Sequence, residues 1–235
     1  MKSLPAFDGF KPDVLEFFTQ LKNNNSKEWF DANRSVYENT VKFPTQSFVL
    51  EMASAFAQTG LPYMADIKRS LFRINRDIRF SKNKDPYKTN LGIYFPFKVE
   101  AGPKKPVESC GIYLHIEPTE FFIAGGIHMP EPQQLKSIRT KIHKDWDEFE
   151  EIVTDKQFLK EFPGKWEGEK LKKAPAGFPA DHPSIDWLRQ KEFTVYQAIK
   201  DKDIQSRKII DTLLQKAETL APYNDFLRDA MYGNE

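Results

Sequence analysis

The stretch GIYLHIEPTEFFIAGG, residues 111–126, alternates side chains with the period of two that belongs to a β-strand and breaks that alternation once, at Pro118 and Thr119. A turn at those two residues folds the stretch into a hairpin, with Leu114 opposite Ile123 and Ile116 opposite Phe121 on one face. Tyr113, His115, Phe122 and Ala124 then share the other face, which is half aromatic. Apolar sheet faces in α+β domains are usually packed, so a helix is expected to cover this second face. The alternative is the wall of a groove whose ligand extends a charged end toward Arg79. Gly125 and Gly126 would admit another backbone or a ligand at close range.

Working outward, the segments LFRIN (71–75), LGIYFPF (91–97) and EFTVYQAI (192–199) are also short, β-branched or aromatic, and bounded by turn residues. Helical spacing governs both flanks. Val14, Phe17, Phe18 and Leu21 follow Pro12; Asn23, Asn24 and Asn25 stop that helix, and Ser26 is placed to cap the next. A third helix follows Pro44, with Phe48, Met52 and Phe56 on one stripe and Gly60 at its end. After the strands, Leu135, Ile138, Ile142, Phe149 and Ile152 predict one long helix opening near Pro132, and Ile210, Leu213, Leu214, Ala217 and Leu220 predict a last one. Helices, then strands, then helices define an α+β fold with a central antiparallel sheet on which the long helix and the C-terminal helices pack. The expected organisation is a single domain over 1–235, helical over 10–60, sheet over 67–128, and helix and loop over 132–235.

Composition bounds the function. The 235 residues are 40% hydrophobic and 14% aromatic, enough for a full core, and 35 basic against 34 acidic residues leave a net charge of +1. No global field holds nucleic acid or an anionic membrane, and no run approaches the roughly 18 apolar residues of a membrane span. One cysteine, Cys110, forms no internal disulfide and suits a reducing cytoplasm.

The charge is local instead. Over residues 68–88 eight basic side chains stand against Asp77 and Asp85, a net +6 in a chain that is otherwise slightly acidic. FRINRDIRF (72–80), taken as a strand in preference to a helix, puts Arg76 between apolar neighbours and Arg73, Asn75, Asp77 and Arg79 on the opposite face. A guanidinium so placed requires a carboxylate or a ligand. SKNKDPYK (81–88) has turn chemistry and would present Lys82, Lys84, Tyr87 and Lys88 beside Arg79, as binding of a phosphate or carboxylate requires. The plainer alternative is a solvated basic surface.

Phosphate loops, dinucleotide fingerprints and nucleophile elbows are absent from the sequence. His115, His128, His143 and His182 lack the close linear pairing of a metal site, and neither metal nor cofactor is expected. Cys110 and His115 fall on opposite strand faces, which excludes them as nucleophile and base and suits Cys110 to burial.

NNNSKEWFDANRSVY (23–37), RINRDIRFSKNKDPYKT (73–89), residues 111–130, and GEKLKKAPAGFPADHPSIDWLRQKEF (168–193) together resemble the bacterial and fungal family known as domain of unknown function 2461. The resemblance covers nearly the whole chain and implies a single α+β domain of conserved-hypothetical type, without an activity to carry over. Where relatives often have a basic residue before the glycine of PAGFPADHP, this chain has Ala176.

The favoured expectation is a protein that binds a phosphate- or carboxylate-bearing small molecule through Arg76, Arg79, Lys82, Lys84, Tyr87 and Lys88, with Lys170 and Lys172 lent by the connection over 162–183. That connection would face the basic loop across one pocket. The alternative is an enzyme on the same pocket, with Asp77, or Asp181 with His182, supplying acid or base. A module for an acidic protein or nucleic acid is the third class, and the small local charge argues against nucleic acid.

Overall fold

The computed structural model describes residues 4–98, 109–163 and 168–233. Pro12 opens α1 (Pro12–Asn23), whose buried stripe is Val14, Phe17, Phe18 and Leu21. Ser26 then caps α2 (Lys27–Ala32), its Oγ accepting from the Trp29 N–H at 3.2 Å. α3 (Arg34–Val36) runs through a π-helical stretch, Tyr37–Lys42, into α4 (Phe43–Thr59), which ends where Gly60 turns left-handed at φ 70°.

Four strands, β1 (Leu91–Pro96), β2 (Gly111–Glu117), β3 (Glu120–Ile127) and β4 (Phe193–Ala198), form an antiparallel sheet in the order β1-β2-β3-β4. The β2–β3 hairpin turns at Pro118 and Thr119 and pairs Leu114 with Ile123 and Ile116 with Phe121, as its alternation predicts. Between β3 and β4 lie α5 (Pro132–Lys144), α6 (Trp146–Thr154), α7 (Lys156–Glu161) and α8 (Ile185–Leu188); α9 (Asp201–Ile204) and α10 (Lys208–Tyr232) follow β4. With its helices before and after an antiparallel sheet, the fold is α+β. No helix among the described residues is long and apolar enough to cross a membrane.

Two expectations need correction. The single long helix beginning near Pro132 is broken at Asp145 (φ −112°), whose N–H closes α5 on the Lys141 carbonyl. Ile138 and Ile142 on α5 and Phe149 and Val153 on α6 all face the core, so one stripe is shared by two helices and the periodicity does not show the break. The second correction concerns residues 72–80, which are not a regular strand. Only isolated bridges, Leu71 with Ile93 and Asn75 with Tyr87, tie this segment down. Its backbone is claimed locally: Asp77 Oδ1 accepts from the Arg79 N–H, Asn83 Oδ1 from the Asp85 N–H, and the Ile78 carbonyl from Lys84 Nζ. Such side-chain bonds compete with a strand ladder. Arg76 is half-buried as the alternation suggests, but it meets the Ser81 hydroxyl at 3.4 Å and not a carboxylate.

The core lies against one face of the sheet. Ile93, Phe95, Ile112, Leu114, Ile116 and Ile123 are fully buried there. α10 crosses this face so closely that a Cβ on Gly125 would overlap the Leu220 side chain, which is why glycine stands at that point. Asn224 of α10 is also fully buried; its Nδ2 donates to Tyr63 Oη at 3.0 Å and to the Gly111 carbonyl at 3.3 Å, and its own carbonyl accepts from Cys110 Sγ at 3.1 Å. Burial pushes the Cys110 thiol up to about 12, the inert condition its sequence position suggests. A buried Lys216–Glu161 pair, 2.7 Å apart, joins α10 to α7.

Candidate functional site

The opposite face of the sheet borders a groove. Alternation brings Tyr94 from β1, Tyr113 and His115 from β2, Phe122 from β3 and Tyr196 from β4 onto it, and together they line a groove of about 640 Å³. Among the described residues no helix covers this face, contrary to the expectation, and Arg79 is not among the residues that line the groove. Residues 70–72 extend the surface by pairing along β1: the Phe72 N–H donates to the Gly92 carbonyl, and the Tyr94 N–H donates to that of Ser70. Phe72 thereby becomes the side wall, 5.8 Å from Tyr113 and nearly parallel to Tyr94.

Glycine sets the depth of the groove. A Cβ on Gly92 would stand 2.7 Å from the Tyr113 hydroxyl, and one on Gly111 would stand 2.7 Å from the Tyr94 hydroxyl. Both rings therefore lie down across neighbouring strands rather than rising from them, and form a flat floor. Burial raises the Tyr113 phenol to about 12 and holds the Tyr94 phenol above its ordinary range as well. Both stay protonated at neutral pH. Tyr94 Oη donates to the Ser109 carbonyl at 2.6 Å.

Polar groups gather at the two ends. Near the β3–β4 end, His128 Nδ1 is 2.6 Å from Glu192 Oε2, and Thr194 donates to the Ile127 carbonyl. At the hairpin end, the His115 ring stacks on Phe122 with centroids 4.6 Å apart and planes 8° from parallel. Its Nδ1 lies 3.0 Å from Tyr113 Oη and 3.4 Å from Asn90 Nδ2, and its Nε2 points to Glu117 Oε2 at 3.5 Å. Glu120, across the turn from Glu117, completes a cluster whose three ligand-type atoms lie within 4.8 Å of one another. The spacing of histidines along the chain passes over this cluster because its carboxylates return to His115 only when the hairpin has folded.

The residues proposed from the sequence are distributed differently. Arg79, with its side chain 76% exposed, forms a two-point ion pair with Asp77 at 2.9 and 2.6 Å, and this fork holds the Asp77 carboxyl down at about 2. Lys82 is exposed, and Lys84 donates to a local carbonyl. Tyr87 is buried, stacked on Phe30 at 4.2 Å, and clasped by Asn25, whose amide exchanges two hydrogen bonds with the Tyr87 backbone. Lys88 does not line the groove, but its Nζ lies 5.1 Å from the centre of the Phe72 ring that does, and burial, reinforced by the charge of Arg73, lowers its pKa.

Of the connection over 162–183, residues 164–167 lie outside the described residues. Lys170 bridges Gln190, Lys172 and Asp181 are exposed, and the His182 ring sits 4.4 Å from that of His143 with Nδ1 accepting from the Ser184 N–H. The contacts of this segment run to His143 on α5 and to residues 189–191 just before β4, whereas those of the basic segment run to α2 and β1 at the other edge of the sheet. The structure does not bring Arg79, Lys84, Lys170, Asp181 and His182 together around the groove.

The family model for a conserved hypothetical protein, DUF2461, matches residues 13–226, and the chain belongs to that family. Neither the curated proteins nor the solved structures contain a match to it.

Proposed function

We propose that this DUF2461 protein binds a small organic molecule with a flat, largely apolar body and an anionic end. The carrying observation is the aromatic face, over which no helix lies among the described residues: five rings and a histidine line an about 640 Å³ groove on a sheet whose other face is packed against helices. A contiguous, half-buried apolar lining with a few convergent polar groups is the ordinary form of a ligand site. Ring faces select a planar body, since offset or edge stacking adds about 0.5–1.5 kcal/mol beyond area burial. Lys88, partly desolvated beside the Phe72 ring, is the cation this reading assigns to a carboxylate or phosphate. The anionic-ligand expectation is thus retained with Lys88 in place of Arg79 and Lys84, which already have intramolecular partners.

A thermal-shift panel of aromatic carboxylates and phosphates, each beside its neutral isostere, tests this. Charged ring compounds should raise the melting midpoint of the parent chain and lose the effect in Phe122→Ala and Tyr196→Ser. Lys88→Met should erase the preference for the charged member. Silence across the panel, or an unchanged response in Phe122→Ala, rejects the reading.

A further inference from the structure

We infer that His115, Glu117 and Glu120 form a binding site for one divalent transition-metal ion of zinc type at the hairpin end of the groove. It goes beyond the ligand reading, because the ion would be held by the protein whether or not the groove is filled.

The donor set is an imidazole and two carboxylates. That mixture suits zinc and its neighbours better than calcium or magnesium, which take oxygen donors alone. Two donors bound to zinc at about 2.0–2.2 Å in a tetrahedral arrangement stand roughly 3.3–3.6 Å apart. His115 Nε2 and Glu117 Oε2 are already at 3.5 Å. The remaining spacings, within 4.8 Å, close by rotation of the exposed Glu120 side chain.

The histidine is prepared for the role. Its side chain is only 15% exposed, and stacking on Phe122 fixes the ring plane. When Nδ1–H donates to the Tyr113 hydroxyl, with the Asn90 amide turned to offer Oδ1 in place of Nδ2, the Nε2 lone pair is left facing the carboxylates, the outer-shell arrangement that orients a ligating imidazole. Neither glutamate has a lysine or arginine partner among the described residues, so two carboxylates and one histidine face each other across a two-residue turn without a fixed cation to balance them. Three protein donors leave further coordination positions, and His115 and Glu120 both line the groove. The ion would add positive charge at the end of an aromatic cavity, where an oxygen of a carboxylate, phosphate or hydroxyl could bind it.

A plain neighbouring pair of His115 and Glu117 would be indifferent to Glu120, and this separates the two accounts. The chelator-stripped chain is titrated with Zn²⁺ by calorimetry and with Co²⁺ by visible absorption. One ion per chain is expected, with affinity at least tenfold weaker in Glu117→Gln and in Glu120→Gln, and with cobalt bands lost in His115→Ala. Glu120 is exposed, so its variant reports even if His115→Ala does not fold. His128→Ala should leave the binding unchanged. Absence of stoichiometric zinc in the parent chain, or equal affinity in Glu120→Gln, overturns the site. Tyr196→Ser should lose aromatic ligands and retain zinc, so a failed metal site and a failed groove give different results.

Discussion

The two faces of the sheet are built from alternate residues of the same four strands and end in opposite conditions. On one face Ile93, Ile112, Leu114 and Ile123 are sealed under helices; on the other Tyr113, His115 and Phe122 are half-buried, and Tyr196 is 40% exposed. Branched aliphatic side chains contribute about 1.5–3 kcal/mol each when fully buried, and they interdigitate with a crossing helix. The rings of the other face touch each other and, among the described residues, line a groove. One strand thus serves stability with its even positions and reception of a ligand with its odd ones. The comparison also locates the histidine and glutamates, which stand on the receptive face where their loss should cost little folding energy.

The contrast can be broken most directly by truncating one residue from each face. Leu114→Ala should lose about 2–5 kcal/mol in denaturant unfolding, the range for a fully buried leucine. Tyr196→Ser should lose about 1 kcal/mol or less, as an exposed position does. Equal losses would mean that both faces carry the fold. A smaller effect sharpens the same comparison at Cys110, which lies on the helix side with its thiol pushed up to about 12. A thiol reagent at pH 8 should modify it at the rate of unfolding, and rapid modification of the native chain would show that α10 does not seal the sheet.

The smallest effect is expected far from both faces, at the Asp77–Arg79 fork. Because the Asp77 carboxyl is held down at about 2, its contribution is present above the ordinary carboxylate range near pH 3.9 and is lost as pH falls toward 2. Both groups are exposed and screened, so Arg79→Ala should leave the melting midpoint at pH 7 unchanged. A clear drop would give the basic segment a structural role that its contacts do not indicate.

Much of this architecture is legible in residue order, and the reasons differ from place to place. The β2–β3 register follows from a two-residue turn and strict alternation, both local. The Ser26 cap and the Gly60 stop are equally local. Residues 72–80 also alternate, and their exposure does so as far as Arg79 but fails at Phe80, which is 95% exposed; Asp77, Asn83 and Lys84 divert the backbone from pairing, a competition that periodicity does not weigh. At the site, the membership of Tyr113, His115, Phe122 and Ala124 on one face is readable. Whether a helix lies over them is not, because rings suit both a packed face and an open one. Phe72 joins the groove through pairing along β1, Lys88 approaches Phe72 through the Asn75–Tyr87 bridge, and Glu120 joins His115 through a turn, so none of these associations is visible in spacing alone.

The buried amide of Asn224 carries a consequence for synthesis. It ties residue 224 to Tyr63 and Gly111 across separations of 161 and 113 residues. Contacts so distant in sequence slow folding, since loop closure precedes any return from them. On a ribosome adding roughly 5–20 residues per second, about 5–20 s pass between the emergence of Ile123 and that of Asn224. Throughout that interval the aliphatic side of the hairpin has no α10 to close it. A nascent chain stalled before Asn224 therefore displays two apolar surfaces rather than one, and chaperone capture or aggregation should be concentrated in that window.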